Sequence, residues 1–409
     1  MISSKSIIIN KLNNLDINNI IIDVNVSKKY PKSYINGDYK EELNKIKDIV
    51  CKYDKWLIYR KLFTSLIFLN FYNKKYNIGI FKKNVLSRSF FKMIEIQNDY
   101  NILQFFKYPI KVAFIAEAPG GFIEAFYKLR NNYNDKYYGI SLINKSNTIP
   151  SWNNIKHKIK KTNLHLLDGY DNTGDIYKLI NIINFINTIG KHSCDIVTAD
   201  GGFDFSNDYI NQEYNFIRLF FCEIVLNLNL QKKGGTFIIK CFDLTNIFNL
   251  KIFYLLCHLY EKVIITKLKT SRQTNSERYI ICKNLKYYLN DSIMKNLFEI
   301  ILKWDNLIDN NMKIIDIFKF QLDKFFIDNI NLYNSWFLQK QLDIYNYIIN
   351  INYNITNSLI KNIIKQHIIN NIENSINFCR INNLYIDYNS YFIITNIDTI
   401  INTHFNIYI

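Results

Sequence analysis

Lys111-Val112-Ala113-Phe114-Ile115-Ala116-Glu117-Ala118-Pro119-Gly120-Gly121-Phe122 is the stretch on which the fold turns. Its first half is a short continuous apolar run, the pattern of a strand buried on both faces of a parallel sheet. The run ends at Pro119-Gly120-Gly121. Glycines at such a place let the backbone approach a ligand closely, where a side chain would collide. In an open α/β sheet, ligands bind beyond the carboxyl ends of the strands. The spacing is not G-x-G-x-x-G, so a dinucleotide site is not indicated.

Working outward, strands and helices alternate. Phe122 to Leu129 reads as a helix, Tyr137 to Ile143 and Leu164 to Leu167 as strands, and Asp175 to Ile189 as a helix. Asp195 to Ala199 predicts a fourth strand, Tyr209 to Leu230 a long helix, and Thr236 to Cys241 a fifth strand opened by Gly234-Gly235. A helix near Leu250 to Tyr260 and the strands Val263 to Lys267 and Arg278 to Cys282 close the set. Such alternation predicts a doubly wound, Rossmann-like α/β sheet. Residues before 85 lack a clear period, apart from Trp56 to Phe71, which reads as a helix. Beyond residue 290, Asn/Ile-rich amphipathic stretches predict a mostly helical region.

Composition sets the class. Of 409 residues, 48% are hydrophobic and 16% aromatic, enough for a full-sized core and against wholesale disorder. The net charge of +16 suits a polyanionic partner such as nucleic acid, though a lysine-rich composition accounts for it equally well. Seven cysteines are scattered without a C-x-x-C pair, so buried free thiols are expected and neither disulfides nor a zinc site. No uncharged apolar run approaches the roughly 20 residues of a membrane span. Met1-Ile2-Ser3-Ser4-Lys5 leads into a polar stretch without a signal-peptide core. A soluble intracellular protein, cytoplasmic or nuclear, is expected.

Further chemistry falls at strand ends. Asp168-Gly169 and Gly174-Asp175-Ile176 follow the third strand, where a carboxylate can accept hydrogen bonds from a base or a sugar. The competing reading of each aspartate is a helix N-cap. Asp200-Gly201-Gly202 follows the fourth strand, and Lys240 closes the fifth. A buried ammonium needs a partner; the alternative is an edge lysine reaching for solvent. All these positions converge on one rim, which suits a cofactor with a charged reacting centre.

Ala118-Pro119-Gly120-Gly121-Phe122, Thr198-Ala199-Asp200-Gly201-Gly202-Phe203, the block from Gly234 to Asp243 and Ser271-Arg272-x-x-Asn275-Ser276-Glu277-Arg278-Tyr279 are similar to the FtsJ-like (RrmJ-type) ribose methyltransferases. The last three look closest to the Adrift-type subgroup, which contains cap-specific mRNA 2′-O-methyltransferases. The resemblance spans roughly residues 85 to 285. It implies an N-terminal extension (1–85), a methyltransferase domain (86–288) and a C-terminal accessory region (289–409). The family's Lys-Asp-Lys-Glu order falls on Lys92, Asp200, Lys240 and Glu277 as catalytic residues. The implied cofactor is S-adenosylmethionine, held by Ala116, Glu117, Ala118, Pro119, Gly120, Gly121 and Phe122, by Asp175 and Ile176, and by Asp200. Asp168 is a further candidate for that pocket. Glu117 is a departure, standing where relatives often carry a small residue. Arg88 and Asn211 are candidate RNA contacts, capped mRNA is the implied substrate, other capping enzymes are implied partners, and no metal is implied.

On this resemblance Lys240 is the general base for a ribose 2′-hydroxyl. That role asks for a lowered pKa, from burial and from the neighbouring cation Lys92. Asp200 and Glu277 would orient the two lysines. A ribosomal RNA methyltransferase with the same tetrad, and a non-catalytic RNA- or cap-binding subunit, remain alternatives.

Overall fold

Lys111–Ile115 is a strand in the computed structural model of the protein. The structure describes residues 6–9, 12, 15–73, 76–143, 150–153, 155, 159, 163–203, 208–354 and 356–405. Two compact units divide the chain: Met1–Gly37, Ile102–Lys267 and Glu277–Ser335 form the first, and Asp38–Asn101, Leu268–Ser276 and Trp336–Ile409 the second. Each is assembled from three separate stretches, so residues 86–288 contribute to both.

The strands of the first unit are β1 (Ser6–Ile9), β2 (Ile22–Ser27), β3 (Lys111–Ile115), β4 (Lys136–Ile140), β5 (Leu164–Leu167), β6 (Cys194–Ala199), β7 (Gln231–Cys241), β8 (Tyr260–Thr266), β9 (Arg278–Leu285) and β10 (Lys313–Phe318). Eight of them make one sheet in the order β1-β8-β9-β7-β6-β3-β4-β5. The β5-β4-β3-β6-β7 run is parallel, while β9, β8 and β1 add antiparallel. Every residue of β6 is buried, as are Val112 to Ile115, which explains their unbroken apolar sequence. The expected doubly wound sheet is therefore present.

The helices, in chain order, are α1 (Gly37–Val50), α2 (Trp56–Leu62), α3 (Ser89–Tyr100), α4 (Gly121–Arg130), α5 (Leu179–Ile189), α6 (Gln212–Leu230), α7 (Ile247–Leu259), α8 (Asp291–Asp309), α9 (Lys324–Asn354), α10 (Ser358–Ile381), α11 (Tyr391–Ile394) and α12 (Ile397–Phe405). Asparagine, abundant in this chain, starts several of them. Asn246 and Asn290 each accept a main-chain N–H three residues on, at 2.8 Å, and so satisfy a donor with no partner in the first turn.

The structure differs from the sequence expectations in three places. The helix expected from Asp175 begins only at Leu179, because Gly174 (φ +62°) and Asp175 form a turn in which Asp175 Oδ1 accepts the Tyr177 N–H at 2.9 Å. The aperiodic N-terminal stretch supplies two strands: β1 extends the main sheet beside β8, and β2 pairs with β10. That second pairing places a strand in the otherwise helical region after residue 290. Trp56 to Phe71 is helical only to Leu62, followed by a 3-10 turn at Ile67–Leu69.

The second unit is mainly helical. On α10 the buried residues Ile360, Ile364, Ile368, Asn371, Ser375 and Cys379 recur at three- and four-residue steps, an amphipathic stripe. Asn371 Nδ2 donates to the Leu62 carbonyl at 2.8 Å, satisfying the end of α2. Phe68, Phe71, Phe392 and Phe405 build an aromatic cluster in this unit's core. The seven cysteines are all free thiols, five of them buried; burial pushes Cys194 and Cys241 up to about 12. Among the described residues no helix is long and apolar enough to cross a membrane.

Candidate active site

Register aligns one row of residues across the first unit's sheet. Leu167 pairs with Ile140, Ile140 with Ile115, Ile115 with Ala199, Ala199 with Ile239, and Lys240 with Tyr279. One step beyond the first five stand Asp168, Ser141, Ala116, Asp200 and Lys240, side by side at the carboxyl ends of five strands. The chain runs from β3 outward to β4 and β5, then returns to β6 on the other flank of β3. That reversal opens a crevice between the ends of β3 and β6, where ligands bind in such sheets.

One wall of the crevice is the turn from Ala116 to Gly121. Ala116 has φ +54°, the Ala118–Pro119 peptide is cis, and Gly120 has φ +104°. Its positive φ disfavours a side chain there, and a Cβ would also press on Ile155 Cδ1 at 2.4 Å. Phe122 is fully buried and stacks on Tyr279, with ring centroids 6.1 Å apart. The other wall is the loop after β5. Gly174 N–H donates to the Asp168 carbonyl at 2.7 Å, and Ile143 N–H to the Thr173 carbonyl at 2.7 Å. A Cβ on Gly174 would stand 1.9 Å from the Ser141 carbonyl oxygen, so the loop closes only over glycine. Asp175 is half-buried on this wall, and Ile176 is buried beside it.

At the far side of the row, Lys240 Nζ donates to the Asp200 main-chain carbonyl at 2.7 Å and lies 3.3 Å from Asp200 Oδ1. The same Oδ1 accepts the Tyr279 hydroxyl at 2.6 Å. Gly202 leaves room for the ammonium, since a Cβ there would come within 2.9 Å of Nζ. Burial pulls the Lys240 pKa down, but the carboxyls of Asp200, Glu277 and Glu223 outweigh it and hold the ammonium above its ordinary value of 10.5. This corrects the expectation of a lowered lysine. Three acidic neighbours oppose the burial.

Asp200, Lys240 and Glu277 are thus brought together in the first unit, Glu277 by its charge on Lys240 and by accepting Lys267 Nζ on its main-chain carbonyl at 2.9 Å. Lys92 is carried by α3 in the second unit. On the same helix Glu95 accepts the Lys269 and Thr270 N–H groups at 2.8 and 2.9 Å, holding the Leu268–Ser276 segment that leads into Glu277.

Two buried carboxyls near Asp200 complete the first unit's centre. Glu117 accepts the Thr198 hydroxyl on Oε1, while its buried Oε2 has no partner among the described residues. Burial, then the Asp200 charge, pushes its pKa well above the usual carboxyl range. Glu223, fully buried on α6, accepts the Gly201 N–H at 3.2 Å and likewise has an unpartnered Oε2. Burial raises it in the same direction. Tyr279 and Glu223 carry no role in the sequence reading. Tyr279 lies inside a quoted block, and Glu223 is betrayed only as a charge within the apolar run Phe220-Phe221-Cys222-Glu223-Ile224.

The two RNA candidates fare differently from the rim. Arg88 donates through Nη1 and Nη2 to the carbonyls of Leu66, Ile67 and Asn70, and burial brings it down to about 10. Its guanidinium satisfies carbonyls at and beside a 3-10 turn. Asn211 precedes α6 and donates to Asp208 Oδ1 at 3.0 Å, so its amide is engaged within its own turn. Among the described residues no cluster of His, Cys, Asp and Glu could hold a metal.

The model of the FtsJ-like methyltransferase family matches residues 85–285. The chain carries an FtsJ-like methyltransferase domain. Curated relatives of this domain include proteins named cap-specific mRNA (nucleoside-2′-O-)-methyltransferase 1. The one from Caenorhabditis elegans is 27% identical over 239 residues, covering 56% of this chain and 25% of that protein. The one from Leishmania braziliensis is 32% identical over 182 residues, covering 44% and 45%. The human one is 36% identical over 143 residues, covering 34% and 17%. The chain thus spans less than half the length of each. Among solved structures, a ribosomal RNA methyltransferase, putative, from Plasmodium falciparum is 23% identical with a TM-score of 0.36, covering 49% of this chain and 98% of that one.

FtsJ-like methyltransferases use S-adenosylmethionine, and the crevice fits it. The Gly120 cradle admits backbone-close contact, and the buried Glu117 Oε2, without a partner among the described residues, leaves hydrogen-bonding capacity for a ligand.

Proposed function

We propose that this chain transfers the methyl group of S-adenosylmethionine to the ribose 2′-hydroxyl of a cap-proximal nucleotide of mRNA. The observation that carries the reading is the Lys240 ammonium, held at 2.7 Å by the Asp200 carbonyl beside the glycine turn at the sheet's reversal point. The names of the relatives support capped mRNA as the acceptor.

S-adenosylmethionine supplies an electrophilic methyl on a positively charged sulfur. Ala116 to Phe122 would hold its methionine part and Asp175 with Ile176 its adenosine, with Asp200 at the strand end beside them. Lys240, in its neutral form, takes the proton of the 2′-hydroxyl as the oxygen gains the methyl. Asp200 fixes Nζ, and Tyr279 fixes the Asp200 carboxylate. Glu277 acts on Lys240 through its charge, and Lys92 holds the family's first tetrad position in the sequence. Alignment of the two reactants supplies most of the acceleration.

The test is methyl transfer from labelled cofactor to short RNAs of one sequence, with and without an N7-methylguanosine cap, followed by nuclease mapping. Transfer to a cap-proximal ribose of the capped RNA alone is expected. Equal transfer to both removes the cap, and no transfer to either removes the reaction.

A further inference from the structure

The peptide group joining Asp200 to Gly201 is gripped on both edges. Its carbonyl accepts Lys240 Nζ at 2.7 Å, and its N–H donates to Glu223 Oε1 at 3.2 Å. The peptide is planar, so turning one edge turns the other. Glu223 is itself held rigidly: it projects from the nineteen-residue helix α6 and is 0% exposed. The fit is close. A Cβ on Gly201 would stand 2.4 Å from Glu223 Oε1 and 3.0 Å from Ala116 Cβ, so the turn that carries Asp200 is packed between α6 and the glycine turn.

We propose that Glu223 is a positioning residue for the methyl transfer. It fixes the plane of the Asp200–Gly201 peptide and, through the carbonyl on the other edge, the direction in which Lys240 presents Nζ. The inference rests on Lys240 as the group that takes the hydroxyl proton. Without an acceptor at position 223 the peptide is free to rotate, its carbonyl leaves Nζ, and Lys240 follows the Asp200 carboxylate at 3.3 Å. A misplacement of about 1 Å at a reacting group costs on the order of a hundredfold in rate.

Three variants separate this role from bulk stability. Glu223→Gln keeps an oxygen acceptor at the same reach. Glu223→Met keeps length and helix preference but accepts nothing. Glu223→Asp keeps the carboxyl and loses about 1.5 Å of reach, and it serves if the Met variant does not fold. Expected for Gln is a kcat within about threefold of wild type. Expected for Met and Asp is a kcat lowered at least tenfold, with KM for cofactor and for RNA within about threefold. Amide hydrogen exchange of the Asp200–Gly202 turn should quicken in Met and Asp and not in Gln. A Met or Asp variant with wild-type kcat, or a Gln variant as impaired as Met, overturns the proposal. A wild-type protein without transfer on any RNA would instead sink the functional reading beneath it.

Discussion

One helix, α6, carries two buried glutamates with opposite surroundings. Glu213, at its start, receives the Thr245 and Asn246 N–H groups at 2.8 and 3.0 Å, the Thr245 hydroxyl at 2.5 Å and the Asn249 amide at 3.2 Å. Glu223, further along, receives one N–H and leaves Oε2 without a partner. Both are inaccessible to solvent: 3% and 0% exposed. Burial therefore does not separate them; satisfaction does. A carboxylate whose lone pairs are filled by the protein is scaffold, here fastening the start of α7. A buried carboxyl left partly unfilled beside the strand-end row, as at Glu223 and Glu117, is the kind of group that marks the proposed ligand site.

The sharpest cut between the two regions is Lys240→Ala. Transfer by the folded fraction should fall by at least about a thousandfold, through loss of the proton acceptor. Substantial residual transfer would move Lys240 from the site to the scaffold. Glu213→Ala should do the reverse. It strands four donors and should lower stability by about 3 kcal/mol in denaturant titration, while the folded fraction keeps its kcat. A selective loss of kcat there would erase the distinction drawn along α6.

Acidity gives a third cut. With Lys240 held above 10.5, its neutral fraction at pH 7 is small and rises with pH. The chemical step should accelerate about tenfold per pH unit between pH 7 and 9; a flat profile would contradict Lys240 as the acceptor. The smallest effect concerns Glu117, whose pKa is raised from an ordinary 4.5. Its contribution to stability is complete below that ordinary value and is lost as pH climbs through the raised one. Glu117→Gln removes the dependence, so the variant should gain on wild type as pH rises from 5 to 9. A constant difference across that range would place Glu117 among the satisfied carboxylates.

Much of the fold was legible because strand ends announce themselves in sequence. Val112 to Ile115 and Ile196 to Ala199 are buried on both faces, and each stops at a glycine-bearing turn. Asp200 and Lys240 could be read for the same reason, since each stands at the carboxyl end of a buried strand, whereas Glu277 came only from the family resemblance of its block. The antiparallel strands β1 and β2 could not. Their partners, β8 and β10, lie more than 250 residues away in sequence, and no local period encodes such a pairing. The partners of Arg88 were hidden for a related reason: the three carbonyls it serves lie up to 22 positions earlier in the chain. The charge state of Lys240 was equally hidden, since Glu223 meets it only through the fold.

The strand-end row works as a ruler laid across the sheet. Its marks are counted in residues, and the pleat alternates at every step, so a slip of one position in β3, β6 or β7 near the crevice would turn the reacting side chain to the opposite face. The irregularity in β6–β7 pairing lies between Cys194 and Ile196, at the end away from Asp200. An insertion or deletion would be absorbed at that remote end, and the run from there to the crevice is the length that cannot change without turning a reacting side chain away.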